Sequence, residues 1–208
     1  MNGLKISFAV VAFVLIQGVA VIWYISKLDS RVDQMYKSFE EENKKDVIEN
    51  QENSSYKDWY DITSFDDPTT PENEFKYHAW FNIKSLPEIK KVNVTTKRTP
   101  GHPYEGDINP GAKKHIYDVT KRWLSPNGDI SKGIDGYRLD VADHIGLEFW
   151  RDYRKFVKSV NPDAYIIGEI WWEAWPDRLM DPTPYMQGDI FDAVMFYHLY
   201  KPARYFFA

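Results

Sequence analysis

Arg138, Asp140 and Glu169 are the side chains in this sequence whose types and spacing point most directly to chemistry. Asp140 closes a short apolar run, IDGYRL, and Glu169 closes a second one, AYIIG. Between them LEFWRDYRKFVKSV carries Leu147, Phe149, Trp150, Tyr153, Phe156, Val157 and Val160 on one face at helical spacing. Strand, helix, strand is a βαβ unit, whose strands run parallel and are usually neighbours. Each strand then ends in a carboxylate at its C-terminal edge, which is the active face of a parallel α/β barrel. Adjacent strands lie about 4.8 Å apart. Two carboxyl groups about 5–5.5 Å apart can cleave a glycosidic bond with retention, one as nucleophile and one as acid/base.

Arg138 precedes Asp140 by two residues and so points to the same side of its strand. A guanidinium there favours the ionised carboxylate that a nucleophile needs. Trp171 and Trp172 follow Glu169 and offer the apolar wall that favours the protonated form an acid needs. The competing reading of the same residues is a structural Arg–Asp pair and an ordinary strand-end Glu.

Longer motifs favour the chemical reading. GIDGYRLDVADH, from Gly133 to His144, resembles the second signature region of the α-amylase superfamily, the retaining α-glucan hydrolases and transglycosidases. IIGEIWWEAW, from Ile166 to Trp175, is similar to its third. The resemblance is strongest to the neopullulanase and cyclomaltodextrinase group, and it is continuous from about Asp46 to Ala208. It implies Asp140 as nucleophile, Glu169 as general acid/base and Arg138 as the nucleophile's partner. It also implies Tyr137, Asp143, His144, Trp171 and Trp172 as substrate-binding residues, with Asp143 and His144 on the leaving-group side of the cleft. The implied ligand is an α-glucan, and calcium is a possible ion of the full-length family.

The elements that must position these residues can be read around them. DVIENQENSSYKDWYDI, from Asp46, reads as a loop, DDPTTPEN as a turn-rich loop, and Val92 to Pro110 as an excursion without regular structure. Gly111 to Leu124 is a predicted helix, opened by Pro110 and Gly111, closed by Ser125-Pro126, with Ile116, Val119, Trp123 and Leu124 on its face. After Trp175 comes a Pro-rich loop, and FDAVMFY, from Phe191 to Tyr197, is the next predicted strand. It departs from the family's FDAVMNY by losing an Asn.

The N-terminal part is of a different kind. Residues 6–25 carry no charge, with Ser7 and Gln17 as polar exceptions, and about twenty apolar residues span a bilayer. An uncleaved membrane anchor is the expectation, and a signal peptide cleaved near Ala20 is the alternative. Either would place the protein at the cell envelope, anchored or exported. Leu28, Val32, Met35 and Phe39 follow in a charged stretch with 4-3-4 spacing, which suits a short coiled coil or a solvated helix.

The chain has 208 residues, a net charge of −5 and no cysteine. Its charges are interspersed, which gives no nucleic-acid footprint, and disulfide and thiolate-metal chemistry is excluded. A (β/α)8 barrel typically takes about 250 residues. The family's first signature, Asp-x-x-x-Asn-His, belongs before residue 46, and its fourth, Asn-His-Asp, after residue 208; the latter supplies the third catalytic carboxylate. The expectation is therefore an α/β chain in two parts. Residues 1–45 form the anchor and charged helix, and 46–208 the middle strands of an incomplete barrel with little activity alone. Open sheet edges make self-association possible. An inactive, membrane-anchored glucan-binding or interaction protein and a transglycosidase are the alternative functions.

Overall fold

The computed structural model describes residues 42–95, 102–174 and 178–207. The expected anchor at 6–25 and the coil positions Leu28, Val32, Met35 and Phe39 lie outside the described residues. Among the described residues no helix is long and apolar enough to cross a membrane. A boundary between compact units falls between Lys57 and Asp58.

In the first unit, residues 42–50 are helical (α1), so the segment from Asp46 to Asn50 is helix where a loop is expected. Lys45 and Glu49 pair one turn apart, and Asp46 Oδ1 accepts from Asn50 Nδ2 at 2.9 Å. Such i, i+4 contacts support a helix. Gln51–Asn53 continues as one 3-10 turn.

The second unit is organised by three parallel strands, β5 (Gly136–Leu139), β6 (Tyr165–Gly168) and β9 (Ala193–Val194), in the order β5-β6-β9. Gly136 pairs with Tyr165 and Leu139 with Gly168, so β5 and β6 end level with each other. Helix α3 (Leu147–Val160) makes the crossover and buries Leu147, Phe149, Trp150, Tyr153 and Val157. Helix α2 (Pro110–Leu124) packs beside it. Asn109 caps α2, its Oδ1 accepting from Gly111 N and Ala112 N, with Pro110 at the first helical position, where a missing N–H costs nothing. Its buried residues are Ala112, Thr120 and Leu124, whereas Ile116, Val119 and Trp123 are half-buried. The core-facing stripe is thus rotated from the one expected.

Three short antiparallel pairs decorate this unit: β1 (Ile62–Ser64) with β2 (Lys76–Tyr77), β3 (Lys91–Val92) with β4 (Asp107–Ile108), and β7 (Trp172–Ala174) with β8 (Arg178–Leu179). The β3–β4 pair corrects the expectation of an irregular Val92–Pro110 stretch, and β8 does the same for part of the Pro-rich loop after Trp175. Backbone groups leaving the C-terminal edge of the parallel sheet need partners, and a local antiparallel pair supplies them.

Strand β9 is shorter than the predicted Phe191–Tyr197 run. Asp192 anchors its start: Oδ2 accepts from Ile166 N at 2.9 Å and Lys158 Nζ at 3.0 Å, and Oδ1 meets Arg154 Nη1 at 2.8 Å. Met195 N donates to Gly168 O at 2.9 Å, and there β6 ends, so the ladder has nothing more to pair with. The chain then enters helix α4 (Tyr197–Phe207). Gly168 has no side chain because the Phe191 ring lies against it; a Cβ there would sit 2.3 Å from that ring.

Candidate active site

Asp140 is the first residue after β5 and Glu169 the first after β6, at the C-terminal ends of adjacent parallel strands. The backbone joins the two turns: Glu169 N donates to Leu139 O at 3.0 Å, and Ala142 N donates to Glu169 O at 2.9 Å. The Trp150 indole N–H donates to Ala142 O at 2.8 Å, so α3 holds the turn from beneath.

Arg138 lies between the carboxylates. Its Nη1 pairs with Asp140 Oδ1, and its Nη2 lies 2.7 Å from Glu169 Oε1. It is therefore shared by both acids, where a partner for Asp140 alone is expected. Burial lowers the Arg138 pKa, but the hydrogen bond to Asp140 and the charge of Glu169 outweigh that and raise it above its ordinary value. The two acids differ in access. The Asp140 side chain is 76% exposed and that of Glu169 8% exposed.

The surroundings of Glu169 correct the expected apolar wall. Glu169 Oε1 accepts from Tyr197 OH at 2.6 Å as well as from Arg138, and Oε2 accepts from Val141 N at 3.0 Å. The Trp171 ring stacks on Trp80 at 6.1 Å. Trp172 packs its ring against Tyr197 at 4.8 Å. Burial first, and then the hydrogen bond to Glu169, push the Tyr197 phenol up to about 12.

Val141, between Asp140 and the 3-10 turn Ala142–His144, has φ 44 and ψ 47. A β-branched residue in the left-handed region is strained by about 1–3 kcal/mol. That conformation is what aims its N–H at Glu169.

The other predicted residues divide. His144 belongs to the site region: its Nδ1 accepts from Trp80 Nε1 at 3.1 Å, and Tyr104 OH donates to its carbonyl. Asp143 is buried, 1% exposed, with Oδ2 4.0 Å from His144 Nε2. Tyr137 is misplaced by the expectation. Its hydroxyl donates to Thr120 O in α2 at 3.1 Å and its ring meets Tyr153 edge-on, on the strand face opposite Arg138. It is a residue of the helix interface.

Sequence reasoning passed over Tyr197 and Trp80. Tyr197 stands three residues past the third parallel strand and opens α4, so the strand-end rule that singled out the two acids points to its neighbourhood and not to it. Trp80 had no comparable signal: it is 64 residues from His144 in sequence and meets it by tertiary folding.

Among the described residues no group of three or more His, Cys, Asp or Glu could hold a metal ion.

Two carboxylates on neighbouring strand ends, a shared guanidinium and nearby indoles can attack and protonate opposite sides of one glycosidic bond. Known proteins are similar to this chain. The family model described as alpha amylase, catalytic domain, matches residues 31–208, reaching back into the charged stretch before Asp46. A cyclomaltodextrinase of Geobacillus thermopakistaniensis is 36% identical over 163 residues, covering 78% of this chain and 22% of that enzyme. Neopullulanase 2 of Thermoactinomyces vulgaris is 34% identical over 164 residues, covering 79% of this chain and 23% of that enzyme. The chain thus spans about a fifth of the length of the curated relatives it matches. Among solved structures, the debranching enzyme of Nostoc punctiforme superposes with a TM-score of 0.51 at 29% identity, over 74% of this chain and 26% of that one. The cyclic α-maltosyl-(1→6)-maltose hydrolase of Arthrobacter globiformis, in complex with maltose, gives 0.51 at 30% identity, over 74% of this chain and 28% of that one. These likenesses indicate the TIM-barrel glycosidase fold, and the chain belongs to the α-amylase catalytic-domain family.

Proposed function

We propose that this chain carries the double-displacement centre of a retaining glycoside hydrolase acting on α-1,4-linked glucans. The observation that supports it is Asp140 and Glu169 on adjacent strand ends with Arg138 touching both. Asp140 attacks the anomeric carbon while Glu169 gives its proton to the departing glycosidic oxygen, leaving a glycosyl ester on Asp140. Glu169 then takes a proton from water, the water oxygen bonds to the anomeric carbon, and Asp140 is released. Trp80, Trp171 and His144 form the polar and aromatic wall that sugar rings would meet. Neighbours solved with acarbose or with maltose fit the same substrate class.

The 208 residues alone turn over starch-like glucans poorly in this reading. The described sheet offers two catalytic carboxylates, and the more exposed of them faces water, where electrostatic stabilisation is weak. The third carboxylate implied by the family grips sugar hydroxyls, and such contacts contribute several kcal/mol. The uncharged run 6–25 is proposed as a membrane anchor, which would place the protein at the cell envelope.

The test is incubation with maltoheptaose beside Asp140→Asn and Glu169→Gln, with product analysis. Slow release of shorter maltodextrins, lost in both variants, is the expected result. Longer products would make it a transglycosidase, and sugar binding with no turnover a glucan-binding protein. Turnover that survives in both variants would remove these acids from the chemistry. Sedimentation of the same samples reads any association of copies.

A further inference from the structure

Three donors surround the Glu169 carboxylate: Arg138 Nη2 and Tyr197 OH on Oε1, at 2.7 and 2.6 Å, and Val141 N on Oε2 at 3.0 Å. A carboxylate accepts from all three. An acid/base must also exist in a protonated form, and a proton resting on Oε1 before its transfer needs a neighbour there that can accept. A guanidinium has no acceptor lone pair and neither has a peptide N–H, whereas a phenol hydroxyl donates or accepts by rotating its hydrogen. We propose that Tyr197 is a positioning residue for Glu169, the donor in this shell that keeps its hydrogen bond when Glu169 changes protonation state. This rests on the reading of Glu169 as the acid/base.

The placement suits the role. Tyr197 follows β9, the strand paired with β6, which presents Glu169, so both groups are fixed by one ladder. The Trp172 ring holds the Tyr197 ring at 4.8 Å, so the hydroxyl is located by packing and its hydrogen alone is free to turn. The charged groups facing this hydroxyl include Glu169, Arg138 and Asp140, and burial together with Glu169 raises its pKa. Phe at 197 preserves the ring packing and removes the oxygen.

Two readouts test it. The first needs no catalysis: 3-fluorotyrosine is placed at position 197 and followed by fluorine NMR against pH, in the full chain and in Glu169→Gln. The fluorophenol should titrate at lower pH in Glu169→Gln, because the charged acceptor is gone; the same midpoint in both would overturn the proposal. The second compares Tyr197→Phe with the parent in the first, glycosyl-transfer step, read by single-turnover kinetics on two donors, a glucosyl fluoride, whose fluoride leaves without a proton, and maltoheptaose, whose leaving oxygen needs one. The expected result is an unchanged first rate and a second slowed about tenfold or more. Equal losses on both donors would make Tyr197 a structural residue and overturn the role. Failure of the parent chain to react with glucosyl fluoride would instead overturn the hydrolase reading, while the fluorine titration still decides the contact.

Discussion

Lys113 and Arg138 each stand between two carboxylates, and the two clusters are built for opposite ends. Lys113 sits between Asp107 at 2.6 Å and Asp152 at 2.9 Å, joining β4, α2 and α3. Arg138 sits between Asp140 and Glu169 at the sheet's C-terminal edge. Burial works against the Lys113 charge, yet its two aspartates more than offset that and raise its pKa. Lys113 and Asp107 are 16% and 14% exposed, and nothing outside the chain need approach them. Asp140 is 76% exposed, so the second cluster presents one acid to solvent while gripping the other. The same chemical grouping is a rivet where three elements converge and a candidate reactive centre where strands end.

The sharpest way to break this comparison is to remove one charged member from each cluster and read covalent labelling by a fluorinated glucosyl fluoride. Asp140→Asn should abolish labelling, whereas Lys113→Met should leave the labelling rate within about twofold at a temperature where it is folded. Glu169→Gln should retain labelling, since fluoride needs no proton, yet lose about 10²–10⁴-fold in any turnover of maltoheptaose, the range general acid catalysis supplies. Labelling unaffected by Asp140→Asn would erase the distinction between the clusters.

Stability should divide the other way. Lys113→Met strands two carboxylates and should cost about 1–3 kcal/mol, less than for fully buried ions because Asp152 is partly solvated. Urea unfolding midpoints measure this. Arg138→Met, with Asp140 already hydrated, should cost less; a larger loss at Arg138 would make it the structural member.

Acid should sharpen the contrast further. Burial tends to raise Asp192, but the Ile166 N–H, Lys158 and Arg154 hold its pKa below the ordinary value, and Asp152 is held low first by its hydrogen bond to Lys113. A carboxyl depressed in the folded state contributes stability above its unfolded value, about 3.9, and loses it as pH falls through the folded value. Unfolding free energy should therefore drop below about pH 4, and Asp192→Asn should flatten that drop while lowering stability by about 1–2 kcal/mol at neutral pH. Equally steep acid dependence in the variant would place the sensitive carboxyls elsewhere.

The smallest effect concerns Tyr137. Phe at this position removes one hydrogen bond to Thr120 O and should cost about 1 kcal/mol of stability, with maltoheptaose binding unchanged by calorimetry. Weakened binding with unchanged stability would return Tyr137 to the cleft.

The rules that worked on the sequence were periodic ones. Apolar spacing found α3, a Pro-Gly start found α2, and strand-end position found Asp140 and Glu169, because backbone geometry ties these features to a few neighbouring residues. The same rules failed where a residue's fate depends on a distant partner. Tyr137 carries a motif's identity, but alternation along β5 turns it to α2. Trp171 follows Glu169 in sequence and yet stacks on Trp80.

Periodicity by itself determined the βαβ unit and the two acids at its strand ends, and the motifs from Gly133 to Trp175 carried the resemblance to the family, since each is a property of residues close in sequence. Only the tertiary structure decided that Arg138 serves both acids, that Val141 is strained onto Glu169, and that Tyr197 closes the shell. Those contacts span 28 to 31 residues or depend on one backbone angle. Hydrogen-bond donors are too common in a sequence for spacing to say which of them will converge on a single carboxylate.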